Sequence, residues 1–252
     1  VSSKADVVVC FYRNELLWPF VVWGLVQNQD QIGTVIVSND EAWVDSSRQA
    51  IEIVTREAKL TVPIKFVAHP RNGMRQAQSI NDGVKAATSD YVLQIDDDVV
   101  LAPGGLASFL AVAEPGTLLT GRLHDIAREG VSTQYLDPPT ILRHDKRLVA
   151  PSVGNDLVFS VRDSFLFYNT EDYRSMGGHD EMVHDGTENG YGFVDYVFAL
   201  RWFKKFGLDS FEMTPAVAYH MSGLKPGHDF SKINQKYFED AFSEFVLGDA
   251  HA

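Results

Sequence analysis

Four short apolar, β-branched runs pattern the first hundred residues: Asp6–Tyr12, Thr34–Ser38, Ile64–Ala68 and Tyr91–Ile95. Their markers Val7, Val35, Ile64 and Val92 recur at intervals of 28, 29 and 28 residues. Between the runs lie helical patterns, at Asn14–Gln27, Glu41–Ala58 and Met74–Ala87. Strands alternating with helices at this spacing predict βαβ units on a parallel sheet with right-handed crossovers. The second half is less regular. Helices are expected at Gly104–Ala113 after Pro103, at Tyr196–Phe206 and at Lys232–Val246, and strands at Thr117–Gly121, Ser164–Asn169 and Ala216–His220. The polar, poorly periodic stretch Asp125–Asp156 reads as a substrate-side excursion. With no low-complexity linker, residues 1–252 are expected to form one domain.

A parallel sheet of this kind binds ligands beyond the carboxyl ends of its strands. Those ends carry Arg13, Asn14 and Glu15; Asn39 and Asp40; His69, Arg71 and Asn72; and Asp96, Asp97 and Asp98. The triplet is the most informative. Three adjacent carboxylates flanked by apolar residues are costly unless something positive compensates them. If the strand stays extended, Asp96 and Asp98 point one way and Asp97 the other. Two hard oxygen ligands on one side suit Mg2+ or Mn2+.

Charge narrows the partners. Asp and Glu outnumber Lys and Arg to give a formal charge of −12, which argues against a broad nucleic-acid interface and leaves room for a phosphate ligand bridged by a metal. The single cysteine, Cys10, permits no internal disulfide. The longest apolar run, Leu16–Val26, is about half the length of a membrane span. A cytoplasmic protein is expected, peripheral to a membrane only through parts outside this chain. The chain begins at Val1, so an anchor or second module is expected, if at all, beyond it.

Taken together, several motifs in order resemble nucleotide-sugar glycosyltransferases of the GT-A fold, nearest to the large family 2 group. They are VVVCFYRNE, VIVSNDE, the stretch PRNGMRQAQSINDGVKAATSDYVLQIDDDV with its DxD, GGHDE at Gly177–Glu181 in place of Gly-Gly-Phe-Asp-Glu, and GYGFVDYVFALR at Gly190–Arg201. The resemblance spans about Val7 to His220. It implies a Rossmann-like α/β fold, a mostly parallel sheet flanked by helices with a smaller acceptor-side region. Residues 1–100 would form the nucleotide-sugar half and 101–252 the acceptor-binding and catalytic half.

The resemblance also implies roles. Asp98 and His220 would hold Mn2+ or Mg2+, with His228 a weaker substitute for the histidine. Tyr12, Arg13, Glu15, Asp40, Arg71, Arg75, Asp96 and Asp97 would line the donor, Asp96 facing the ribose. Asp40 also suits a helix N-cap. Asp195, six residues before Arg201, would be the base; Val194 and Val197 depart from the family's acidic residues there, and Glu188, Asp180 and Glu181 are alternatives. Asp180, Glu181 and Tyr191 would contact the acceptor, with Thr187–Phe193 a lid over bound donor. Trp18, Trp23, Trp43 and Trp202 are expected mainly in packing.

The implied reaction transfers a sugar from a nucleoside-diphosphate sugar, UDP-linked by preference, to a hydroxyl of a glycan or glycolipid, with inversion. The alternatives are a retaining transferase, a nucleotidyltransferase or a non-catalytic metal-binding module. A response-regulator-like phosphoacceptor fits the length poorly.

Overall fold

The computed structural model describes residues 4–12, 14–39, 45–68, 76–125, 164–183, 194–221, 236 and 239–240. Eight strands are found among them: β1 (Ala5–Phe11), β2 (Ile32–Asn39), β3 (Ile64–Ala68), β4 (Tyr91–Asp96), β5 (Val99–Leu101), β6 (Leu118–Asp125), β7 (Phe165–Asn169) and β8 (Phe211–His220). The helices are α1 (Trp18–Val26), α2 (Asp45–Glu57), α3 (Gln76–Ala86), α4 (Gly105–Leu110), α5 (Thr170–Ser175) and α6 (Val194–Phe206). The four βαβ runs are β1 to β4. The strands join one sheet in the order β3-β2-β1-β4-β7-β6-β8-β5.

Strand direction locates the site. β3, β2, β1 and β4 are mutually parallel, β7 is antiparallel to β4, β6 to β7, and β8 runs parallel to β6. Two reversals restore the original direction, so β6 and β8 end on the same edge as β1 to β4. β5 is antiparallel to β8 and begins there, with Val99 opposite His220. One edge therefore gathers the ends of six strands and the starts of β7 and β5.

The two-residue period of a strand explains the core. In β1, Val7, Val9 and Phe11 pack on one face with Trp18, Leu25 and Ile51 of α1 and α2, and with Phe109 of α4. Val8 and Cys10 pack on the other with Ile80 and Val84 of α3, Tyr173 of α5 and Phe198 and Trp202 of α6. Each fully buried aliphatic side chain stabilises by about 1.5–3 kcal/mol, so a central strand buried along its whole length anchors both layers.

The start of α1 departs from the predicted pattern for a physical reason. α1 starts at Trp18 rather than Asn14, because Pro19 sits in its first turn and the preceding residues form a turn, with Leu17 N donating to Asn14 O at 3.1 Å. α1 then lies directly on the β5 backbone: a Cβ on Gly24 would sit 2.7 Å from Leu101 N. The buried Asn28 ties this junction together. Its Nδ2 donates to Gly24 O and Ala102 O, and its Oδ1 accepts from Leu106 N in α4. β8 begins at Phe211, five residues before the predicted run, and β5 and α5 are additional elements. Of the predicted helix at Lys232–Val246 only residues 236, 239 and 240 are described, and the excursion after Asp125 lies outside the described residues. Among the described residues no helix is long and apolar enough to cross a membrane.

Candidate active site

The acidic triplet does not continue as a strand. β4 stops at Asp96, opposite Cys10 of β1, and Asp97 and Asp98 form a turn before β5. The extended alternation expected from the sequence therefore ends at the first carboxylate. Asp96 is half-buried and accepts from Gln76 Nε2 of α3 at 3.4 Å. Asp97 is 2% exposed and serves the end of β1: its amide donates to Cys10 O at 3.1 Å, its Oδ2 accepts from Tyr12 N at 2.7 Å and its Oδ1 from Asn14 Nδ2 at 3.1 Å. This carboxylate fixes the turn from β1 towards α1.

Asp98 is equally buried and turns towards β8. Its carbonyl accepts from Met221 N at 2.9 Å, and its Oδ1 lies 3.6 Å from His220 Nε2. That is beyond hydrogen-bond range. It suits two neighbouring ligands of one small divalent cation with bonds of about 2.1 Å. A carboxylate with an imidazole fits Mn2+ better than Mg2+, which takes oxygen ligands. Among the described residues no third His, Cys, Asp or Glu joins them. The two residues are 122 positions apart, and the β5–β8 ladder brings them together.

Across the sheet, the segment Gly177–Glu181 lies against α3 and α6. Gly177 and Gly178 take φ of +81° and +68°, which glycine adopts without strain. Asp180 accepts from Met182 N at 3.0 Å and lies 3.4 Å from Arg201 Nη1 of α6. Arg201 also donates to Met176 O at 2.9 Å. Glu181 accepts from Gln78 Nε2 at 2.8 Å and Asn81 Nδ2 at 3.0 Å, both from α3. Asp195 stands in the first turn of α6, where Tyr196 N donates to its Oδ1 at 3.0 Å. A helix N-terminus favours the carboxylate as the anion. Val194 and Val197, the departures from the acidic family pattern, are buried in the core under α6.

Tyr12 and Glu15 are half-buried at the end of β1. Arg13, Asp40, Arg71, Arg75, Tyr191, Glu188, His228, Trp43 and the segment Thr187–Phe193 lie outside the described residues. Trp18 and Trp202 are core residues and Trp23 is half-buried. Four residues of the site carried no assigned role in the sequence. Asn14 and Asn39 stood among the strand-end residues. Asn39 ends β2, is 5% exposed, and its Oδ1 has no hydrogen-bond partner among the described residues. Gln76 and Asn81 gave no signal, because amide side chains on a helix pattern look like solvent-facing positions.

Comparison with known proteins identifies the fold and the family. The profile of Glycosyl transferase family 2 matches residues 6–168. No curated protein matches the chain in sequence. Among solved structures, S. aureus TarS is similar with a TM-score of 0.61 and 15% identity, covering 97% of this chain and 39% of that one. S. aureus TarS 1-349 in complex with UDP gives 0.61 and 16%, covering 97% and 65%. GalNAc-T7 with UDP, GalNAc and Mn2+ gives 0.58 and 12%, covering 88% and 45%. The chain thus spans between 39% and 65% of the length of these structures. At such identities the likeness speaks for the fold, and that fold is GT-A, a mixed α/β sheet flanked by helices. With the matched profile covering well over half of its length, the chain belongs to glycosyl transferase family 2.

Proposed function

We propose that the chain transfers a sugar from a nucleoside-diphosphate sugar to an acceptor hydroxyl on a glycan or glycolipid, with inversion and with a divalent cation. The observation that carries this reading is the meeting of Asp98 and His220 at the sheet edge, 3.6 Å apart. UDP is the favoured nucleotide and Mn2+ the favoured ion, because GalNAc-T7 was solved with both and TarS with UDP. Residues 1–100 serve the donor and 101–252 the acceptor and catalysis, within one domain.

The roles follow from the chemistry. Asp98 and His220 would hold the cation, which when bound offsets negative charge growing on the departing diphosphate. Asp96 faces the ribose, with Tyr12, Glu15 and Asp97 shaping the end of β1. Arg13, Asp40, Arg71 and Arg75 contact base or diphosphate, and Asn39 brings a buried acceptor oxygen to the same edge. Asp195 takes the proton of the acceptor hydroxyl as it attacks. In the first turn of α6 its negative charge lies at the positive end of the helix dipole. Glu181 is gripped by two amides and Asp180 faces a guanidinium, so both suit acceptor binding better than proton transfer. Tyr191 completes that side.

Incubation with a panel of nucleotide sugars and Mn2+ tests the reading. Release of nucleoside diphosphate is expected. Pyrophosphate release would mark a nucleotidyltransferase instead, and binding without turnover a non-catalytic module. Asp195→Asn is expected to lower turnover by roughly 10²–10⁴ while donor affinity by calorimetry holds. Undiminished turnover would move the base to another carboxylate.

A further inference from the structure

We propose that Asn81 is a positioning residue that sets the place of the acceptor-side carboxylates, and that Tyr173 and His179 complete the hydrogen-bond chain that fixes its amide. The proposal rests on the reading of Asp180 and Glu181 as the acceptor side.

The chain has one direction throughout. Asn81 Nδ2 donates to His179 O and to Glu181 Oε1, both at 3.0 Å. Neither of these can donate in return, so turning the amide over would set its oxygen against a carbonyl and a carboxylate. Asn81 Oδ1 is therefore the acceptor, and it receives the His179 amide at 2.9 Å and the Tyr173 hydroxyl at 2.6 Å. The single hydroxyl proton of Tyr173 is thereby committed. At 2.7 Å its oxygen must accept, so His179 Nδ1 carries a hydrogen.

Packing holds the chain in place. The His179 ring is 2% exposed and stacks on Phe198 with centroids 4.1 Å apart. Tyr173 stacks on Tyr168 at 4.9 Å. Gly178 gives the backbone its turn, and a Cβ there would collide with Asn81 Oδ1. Phenylalanine, the family residue at position 179, could stack on Phe198 in the same way but has no N–H to direct Tyr173. From the opposite side Arg201 holds Met176 O and faces Asp180. The helix that carries Asn81 and Gln78 also carries Gln76, 3.4 Å from Asp96. Donor-side Asp96 and acceptor-side Glu181 thus both accept hydrogen bonds from α3.

Two measurements test this. In protein labelled with 15N-histidine, the His179 signal, identified by its loss in His179→Phe, is expected to report a protonated Nδ1. A neutral ring with a bare Nδ1 would overturn the chain without reference to any acceptor. For function, Tyr173→Phe combined with His179→Phe removes both partners of the Tyr173–His179 bond while the His179 amide still donates to Asn81 Oδ1, so little stability should be lost. Asn81→Ala removes the centre directly, and the double variant keeps the test open if that protein fails to fold.

Nucleoside-diphosphate release is followed with water alone and with methyl glycosides as added hydroxyl acceptors. The double variant should raise KM for the glycoside about tenfold, with water-only hydrolysis and Mn2+-dependent donor affinity unchanged. Glu181→Ala should raise the same KM. If it does and the double variant does not, the positioning role fails and the acceptor reading stands. If Glu181→Ala itself leaves that KM unmoved, the acceptor reading falls and the positioning role with it.

Discussion

Asp96, Asp97 and Asp98 have the same side chain, and their surroundings divide the work. Asp97 is a structural carboxylate whose oxygens hold Tyr12 N and Asn14 Nδ2. Asp98 is as deeply buried but is turned towards His220. Hydrogen bonds to a charged acceptor are worth about 1.5–3 kcal/mol, so Asp97→Asn is expected to lower the denaturant midpoint by a comparable stability loss. Asp98→Asn should leave the midpoint closer to wild type and abolish Mn2+-dependent donor binding by calorimetry. A neutral Asp97→Asn beside unchanged Mn2+ dependence in Asp98→Asn would reverse the assignment. The sequence singled out the triplet because three adjacent carboxylates between apolar residues need compensation. It did not show how they divide, because two-residue alternation applies only while the strand continues, and the chain turns after Asp96.

Elements with a strong period were legible and short ones were not. β1 to β4 announce themselves through apolar β-branched runs, and α3 through its buried Ala77, Ile80 and Val84. β5 has only three residues, too few for a period, and exists because it pairs with β8. α5 is six residues long, but its capping signal was present: Asn169 Oδ1 accepts from Glu171 N at 2.9 Å and Asp172 N at 3.2 Å. The contact of α1 with β5 was also beyond pattern reading. Gly24 looks like a defect in an apolar helix, whereas in the fold its missing side chain admits the Leu101 backbone. Gly24→Ala gains helix propensity, yet it must push α1 off β5. Overpacking of this kind costs about 1–3 kcal/mol and should outweigh the propensity gain of about 1 kcal/mol. A thermal melt of Gly24→Ala is the check. A raised Tm would mean that α1 does not sit this close to β5.

At the scale of the whole molecule, a protein of net charge −12 is proposed to bind an anionic donor, and the fold indicates how. Strand direction gathers the ends of β1 to β4, β6 and β8 on one edge, so Asp98 and His220 meet although they are 122 positions apart. No local pattern encodes that meeting; it follows from sheet order, and the motifs hinted at it only through their resemblance to a family. If a cation bridges this acidic edge to the diphosphate, nucleotide and metal must stabilise the folded chain together. A ligand at a hundred times its Kd adds about 2.7 kcal/mol. For a chain of this size that corresponds to a rise in Tm of about 5–10 °C. UDP with Mn2+ is therefore expected to raise Tm by that order, and by more than the sum of the shifts from UDP alone and Mn2+ alone. In Asp98→Ala or His220→Ala the excess over additivity should vanish, while any shift from UDP alone persists through contacts elsewhere on the edge. Strictly additive shifts in the wild-type chain would mean that nucleotide and metal occupy separate places, and that the Asp98–His220 pair does not bridge the donor.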